Sequence, residues 1–416
     1  MESKNGLIFG NNGRWSAYNI AISFFAFIYV VVSFGFNGLP SVSRLSLVSA
    51  VCMSSLLFFR LKGLNLPKWS IAYLFFYAYL IFPAMMLDDP PWTGMGALIT
   101  IVLGSVGLGV ALHNEMVSYR LLIYAMLAAA FFNILAVLAG IDTTELIYGE
   151  NLPGRSAGLL GNSNFLAMTM ALPGLMVALW AEEFSKFTIA LSVFVATYGM
   201  VVSGSRKGII LVAAILLMLS ISWFSSLNKT MRLLLVTGIL AGTFLVGPYI
   251  FDLLAKYSTD VAAVDRMFQM FSGKEESYSE RLWLTNLGLS IWRESPLCGE
   301  GLNQFARISG FGAYAHNNYV ELLVSGGMVG AAVFYGMHLT ILFKARLLPL
   351  LMRLRLVIAV CTMLFADTAL VSFSDKSVMT VLCMLLVISS GYILRTRAPQ
   401  PVSREASNQC LFGDDL

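Results

Sequence analysis

The sequence predicts an all-α, polytopic membrane protein of about twelve transmembrane helices, with one helical loop subdomain outside the bilayer. Three observations predict it. Hydrophobic residues make up 58% of the 416 and charged residues 12%, against about 25% charged in a soluble domain. Apolar runs of about 17–25 residues recur along the chain, each long enough to cross a bilayer. The shorter alternating segments of an outer-membrane barrel, about 10 residues each, are absent.

The predicted spans are 16–35, 44–60, 69–87, 95–112, 120–140, 163–181, 187–203, 208–224, 232–250, 318–343, 355–373 and 377–394. The first has no small-residue cleavage site after it, so it reads as a retained helix and not a signal peptide. An even number of spans puts both termini on one side. With the N-terminus in the cytoplasm, the inner loops and tails collect sixteen of the 27 basic residues, among them Arg60, Lys62, Arg120, Lys186, Lys344, Arg346, Arg353 and Arg355. The outer turn Asp88–Trp92, "DDPPW", is acidic. This asymmetry fits the positive-inside rule. The chain then divides into residues 1–250 with nine spans, a loop subdomain over 251–317, three spans over 318–394 and a cytoplasmic tail over 395–416.

Two outer segments stand apart. The 141–162 loop ends in "LPGRSAGLLGNSN". The 251–317 loop is the one long soluble insertion, and long ordered loops are usually functional. Within it "VAAVDRMFQMF" and "SERLWLTNLGLSIWRE" have helical spacing, and "SGKEES" reads as a solvated turn between them. Trp283, Leu287 and Ile291 are expected on one face of the second helix. The five cysteines have neither metal-ligand nor redox spacing, so no disulfide framework and no zinc site is expected.

The chemistry-bearing residues fall on the outer face. His316 ends the long loop in "AHNN", where an imidazole can take a proton from a hydroxyl; an interfacial histidine satisfied by hydrogen bonds is the structural alternative. In "SGSRKG", Arg206 and Lys207 lie on the side that should be poor in positive charge. Two cations beside open N–H groups at a helix start suit a phosphate, and snorkelling to headgroups is the alternative. Arg155 in "GRSAGLLGNSN" is a third cation, followed by Asn162 and Asn164, which could equally cap a re-entry turn. Arg281 could pair with Glu280 or a nearby acid, Glu321 could orient the imidazole but reads rather as a packing residue, and Asp367 is an acid inside a span, accounted for by function or by a helix–helix hydrogen bond. His113 and His338 approach the cytoplasmic side and receive no role. No carboxylate cluster is present to hold a metal, so no metal and no cofactor is expected.

Three blocks in order, "GRSAGLLGNSN", "ERLWLTNLGLSIWRESPLCGEGLNQF" and "HNNYVELLVSGGMVG", resemble the bacterial O-antigen ligase and polymerase superfamily. The last contains H-N-x9-G-x-x-G as His316, Asn317, Gly327 and Gly330. The resemblance implies a metal-independent glycosyltransferase of the bacterial inner membrane, with its active site facing the periplasm. Its donor would be an undecaprenyl-pyrophosphate-linked glycan. His316 would be the catalytic base, Arg206, Arg155 and Arg281 would bind pyrophosphate, and Lys207 and Asn317 would complete the substrate site. A ligase would take lipid A-core as acceptor; a polymerase of O-antigen or exopolysaccharide would take a second lipid-linked glycan. "GGMVGAAVF" lacks the threonines that follow the glycines in some ligases, which keeps the polymerase reading open. Membrane lipids are expected partners, and nucleic acid is not. A transporter or flippase would place charged or broken helices at the midplane and repeat its two halves; neither feature is visible in the sequence.

Overall fold

The computed structural model describes residues 16–143, 156–231, 234, 237, 276–312, 314–368 and 371–390. Arg155, the segment 261–271 and nearly all of the predicted span 232–250 lie outside the described residues. No strand occurs among the described residues. Helices occupy the other predicted spans: α1 Ala17–Gly35, α2 Pro40–Phe59, α3 Lys68–Ala84, α4 Trp92–His113, α5 Tyr119–Leu138, α6 Ser163–Leu179, α7 Lys186–Ser203 and α8 Arg206–Ser226. They are followed by α9 Glu276–Glu294, the short α10 Gln304–Ile308, α11 Asn318–Ala345, α12 Leu350–Ala366 and α13 Lys376–Ser389. Six of these, α1, α2, α4, α5, α7 and α11, are long and apolar enough to cross a membrane, and α6 and α13 are shorter apolar helices.

Local chemistry sets the starts. The side chains of Ser16, Asn162, Ser185, Asn317 and Asp375 each accept a hydrogen bond from a backbone N–H in the first turn they cap, satisfying amides that have no partner inside the helix. Pro40 and Pro349 sit at the starts of α2 and α12, where a missing N–H costs nothing.

Burial then sorts the helices. α13 is buried along its whole length and α6 at nearly every position, as expected of helices that are apolar all round. α2 and α7 lie outside them and expose Val48, Phe58, Phe187 and Phe194, a surface suited to lipid and costly in water. Inside the bundle, hydroxyls pair with one another. α4 contains a π-helical turn at Val102–Val106, and there Ser105 meets Tyr29 at 2.8 Å and Thr380 at 2.9 Å.

The helix directions place the predicted cationic segments at opposite ends. At one end Arg355, 1% exposed, donates two hydrogen bonds to the Glu182 carboxylate, at 2.7 and 2.8 Å, and others to the carbonyls of Leu179 and Met218. Arg120 and Tyr119 meet Glu183 beside it. The other end carries the starts of α6, α8, α11 and α13.

The structure departs from the sequence reading at four places. α9 begins at Glu276, inside the segment read as a turn; a glutamate is favourable beside the positive end of a helix dipole. α12 begins at Leu350 and stops at Ala366, so the span read as 355–373 ends early. The chain leaves the helix there because the Asp367 carbonyl turns to accept from the Asn318 N–H at 2.8 Å. The buried side of α9 is Leu284, Gly288 and Ile291, one position round from the expected face, and Trp283 lies at its edge. Finally, α11 is broken at Gly327.

Candidate active site

The break in α11 organises the site end. Gly327 has φ 60° and ψ −163°, a combination reserved to glycine. The segment 296–300 fills the gap and pairs the backbone groups that the break frees. Met328 N–H donates to the Pro296 carbonyl, Val329 N–H to Leu297 and Glu300 N–H to Val324, while Tyr79 Oη donates to the Gly326 carbonyl. Backbone pairing inside a membrane protein must be complete in this way.

The same contacts fix α9 against α11. Gly288 faces Val320 so closely that a Cβ at Gly288 would overlap it, and Pro296 pairs with Met328. The offset between partners is equal at both points, so the two helices run parallel. Leu284, Ile291, Phe305, Ala315, Val320 and Val324 form the apolar core between them.

His316 itself has φ 53°, in the left-handed region, where non-glycine residues are uncommon. Its neighbours hold it there. The Glu321 carboxylate, 3% exposed, accepts from the Ala315 N–H at 2.9 Å. Asn317 Oδ1 caps α11 through the Tyr319 N–H at 3.0 Å. Asn318, fully buried, donates to Tyr335 Oη at 2.8 Å and Asp367 Oδ2 at 3.2 Å, and accepts from the N–H groups of Ser372 and Phe373. The Tyr314 ring lies 4.3 Å from the imidazole, centre to centre. Loss of the carboxylate in Glu321→Leu would leave a buried N–H unpaired, at about 1–3 kcal/mol. That variant is expected to lose hydrogen-exchange protection at the Ala315 amide and to melt earlier, whereas Glu321→Gln, which retains an acceptor oxygen, should stay close to the parent in both measurements.

The turn between α7 and α8 comes to the same place. Gly204 ends α7 in the left-handed conformation and α8 starts at Arg206. Ser205 Oγ donates to Asn164 Oδ1 at 3.0 Å, joining this turn to the start of α6, where Asn162 is the cap. Lys207 Nζ donates to Thr368 Oγ1 at 3.0 Å and lies over the Phe365 ring at the end of α12.

Electrostatics link these pieces. Arg281, Arg206 and Asp367 all act on Lys207 through space, and Arg281 also acts on His316. Burial, helped by the Arg281 charge, pushes the imidazole down to about 4, so it is neutral across the physiological range. Of the predicted site residues, His316 is thus linked through space to Arg281, and Lys207 to Arg281 and Arg206, with Asn317 spending its Oδ1 on the helix cap. Arg155 lies outside the described residues. Asp367 is a hydrogen-bonded anchor between helices, and His113 and His338 are buried elsewhere. Sequence reasoning missed Asn318 and Tyr335. The doubled asparagine of "HNN" was the one available sign, since a single cap needs only one.

A neutral imidazole beside converging cations can accept a proton next to a bound anion. Residues 191–335 match the family model described as O-antigen ligase. Over those residues the chain is similar to the O-antigen ligase superfamily. The matched segment runs from α7 into α11 and contains Arg206, Lys207, Arg281, His316, Gly327 and Gly330. The match supports a membrane enzyme of the glycosyltransferase type acting on lipid-linked glycans. No curated protein matches the chain.

Proposed function

We propose that the protein is an O-antigen ligase-type glycosyltransferase of the bacterial inner membrane. It moves a glycan from undecaprenyl pyrophosphate to lipid A-core at the periplasmic face, with both termini in the cytoplasm. The observation that carries this reading is the match of residues 191–335 to the O-antigen ligase model, and the through-space links of Arg281 to His316 and of Arg281 and Arg206 to Lys207 support it.

Arg281, Arg206 and Lys207 bind the pyrophosphate. Arginine matches phosphate oxygens bidentately and lysine adds a point charge. As the bond from the anomeric carbon to the pyrophosphate oxygen breaks, the electron pair leaves with the pyrophosphate, and these cations stabilise the growing charge. The acceptor hydroxyl oxygen forms the new bond to the anomeric carbon, and its proton passes to His316. The anionic donor also offsets the Arg281 charge that disfavours imidazolium. Donor binding thus raises the basicity of His316 at the moment it is needed. Arg155, in the matching sequence block, is assigned to the same pyrophosphate site.

Purified protein in detergent, given an undecaprenyl-pyrophosphate-linked glycan with added chelator, tests the reading. One sample receives lipid A-core and the other only donor. A lipid A-core product supports the ligase. A ladder of longer lipid-linked glycans instead establishes a polymerase, and intact donor in both samples overturns glycosyl transfer.

A further inference from the structure

We infer that the 156–164 segment is a brace for the α7–α8 turn, with Thr143 and Asn133 as the positioning residues that anchor it. The inference rests on the reading in which Arg206 and Lys207 bind the donor pyrophosphate, and it adds the frame on which they are carried.

A glycine-rich segment beside a cationic turn invites another role, a backbone cradle for an anion. Its amides are already spent. Ser156 N–H donates to the Val202 carbonyl at 3.0 Å, Ala157 N–H to Asp142 Oδ2 at 3.0 Å and Gly158 N–H to Ser156 Oγ at 3.1 Å. Leu159 N–H donates to Asn133 Oδ1 at 3.1 Å, Leu160 N–H to the Ala157 carbonyl at 3.0 Å and Gly161 N–H to Thr143 Oγ1 at 2.8 Å. Residues 157–161 are also buried, so the backbone from 156 to 161 has no amide left for a ligand. The glycines serve packing instead. A Cβ at Gly158 would press on Asn133 Oδ1, and a Cβ at Gly38 would overlap the Gly161 nitrogen.

One side of the brace is anchored in the bundle. Asn133 and Thr143 are both fully buried. Asn133 Nδ2 donates to the Gly35 and Ala129 carbonyls at 3.1 Å, which ties Leu159 to the end of α1 and to α5. Thr143 Oγ1 donates to the Gly158 carbonyl at 2.8 Å while it accepts from Gly161. The other side grips the turn at two points. Ser156 takes the carbonyl of Val202 in the last turn of α7, and Asn164 Oδ1 takes the Ser205 hydroxyl at 3.0 Å, one residue before Arg206. These points flank Gly204, where the chain changes direction. Groups that bind a ligand need such support to hold their geometry.

The test uses full-length protein in nanodiscs, and hydrogen exchange reads the turn directly. Gly204, Ser205 and Gly208 amides donate to Val201, Ser203 and Ser205. Thr143→Val removes the hydroxyl and keeps the shape. It should lose protection at those three amides, keep that of α13, and be rescued by Thr143→Ser. Asn164→Ala, at a half-buried position, should cause the same loss from the other end of the brace, and it serves if Thr143→Val fails to fold. Undecaprenyl pyrophosphate is the binding probe. Its Kd should rise about three- to tenfold in Thr143→Val, the scale of one hydrogen bond, and return in Thr143→Ser. Ser205→Ala cuts the same connection, so the double variant should lose less than the product of the two single effects. Unchanged exchange at the turn in folded Thr143→Val or Asn164→Ala would overturn the brace, and so would effects that multiply. Parent-like probe binding by Arg206→Ala would count against the pyrophosphate reading alone, because the exchange experiment needs no ligand.

Discussion

His316→Ala is expected to lower kcat by about 10²–10⁴-fold, the usual worth of a positioned general base, with membrane insertion and melting close to the parent. The side chain caps no helix, and the ring packed on it is Tyr314. Its loop is held by Glu321, Asn317 and Asn318 instead. The measurement is transfer of the lipid-linked glycan by purified variant, normalised to folded protein. Normal turnover would remove the base assignment. The pH dependence makes a sharper test of the same group. With the imidazole at about 4, kcat/KM should stay flat as pH falls from neutrality and decline only near that value, well below the ordinary histidine range. Arg281→Ala removes one of the two causes and leaves burial, so the acid limb should move up but stop short of the ordinary value. Stability follows the same sign. The unfolded chain binds a proton near 6.5 and the folded chain only near 4, so the parent should lose stability over that window as pH falls. A His316→Gln protein should lack this component, which thermal melts at a series of pH values will show.

What the sequence could and could not reveal follows from which interactions are local. Apolar runs and asparagine or serine caps are properties of a few consecutive residues, and they located the helices. Arg281 is different. Its action on His316 joins α9 to the loop before α11, and no window of neighbouring residues contains both. The sequence places Trp283 on one face with Leu287 and Ile291, but the close approach at Gly288 turns the buried face by one position, to Leu284, Gly288 and Ile291, and leaves the Trp283 ring exposed. The end of α12 was read too far along because "DTALVSF" is apolar enough to continue a span. It departs from the helix through two long-range contacts with Asn318, and no window of neighbouring residues contains both partners.

The G-x-x-G of the motif is expected to split into one essential and one dispensable glycine. Gly327→Val should be destabilised by on the order of 3–5 kcal/mol, from the sum of a backbone conformation closed to side chains and an overpacked contact. A Cβ at Gly327 would fall on the Leu297 carbonyl and the Cys298 N–H of the inserted segment. That segment cannot retreat, since it is tied to α11 on both sides of the break by Met328, Val329 and Glu300. Relief would require α11 to straighten, and a straight α11 would carry His316 away from Arg281 and Lys207. Gly330 is helical, and its nearest neighbours to an added Cβ are Tyr79 Cε1 at 3.6 Å and Leu322 Cδ1 at 3.9 Å, ordinary contact distances. Gly330→Ala should therefore be neutral or stabilising by up to about 1 kcal/mol through helix propensity. Melting of both variants in detergent, with hydrogen exchange over residues 296–300, separates the two roles. Protection of that segment should disappear in Gly327→Val and persist in Gly330→Ala. Equal behaviour of the two variants would mean that the break in α11 does not hold the inserted segment, and the route by which α9 is registered to His316 would have to be sought elsewhere.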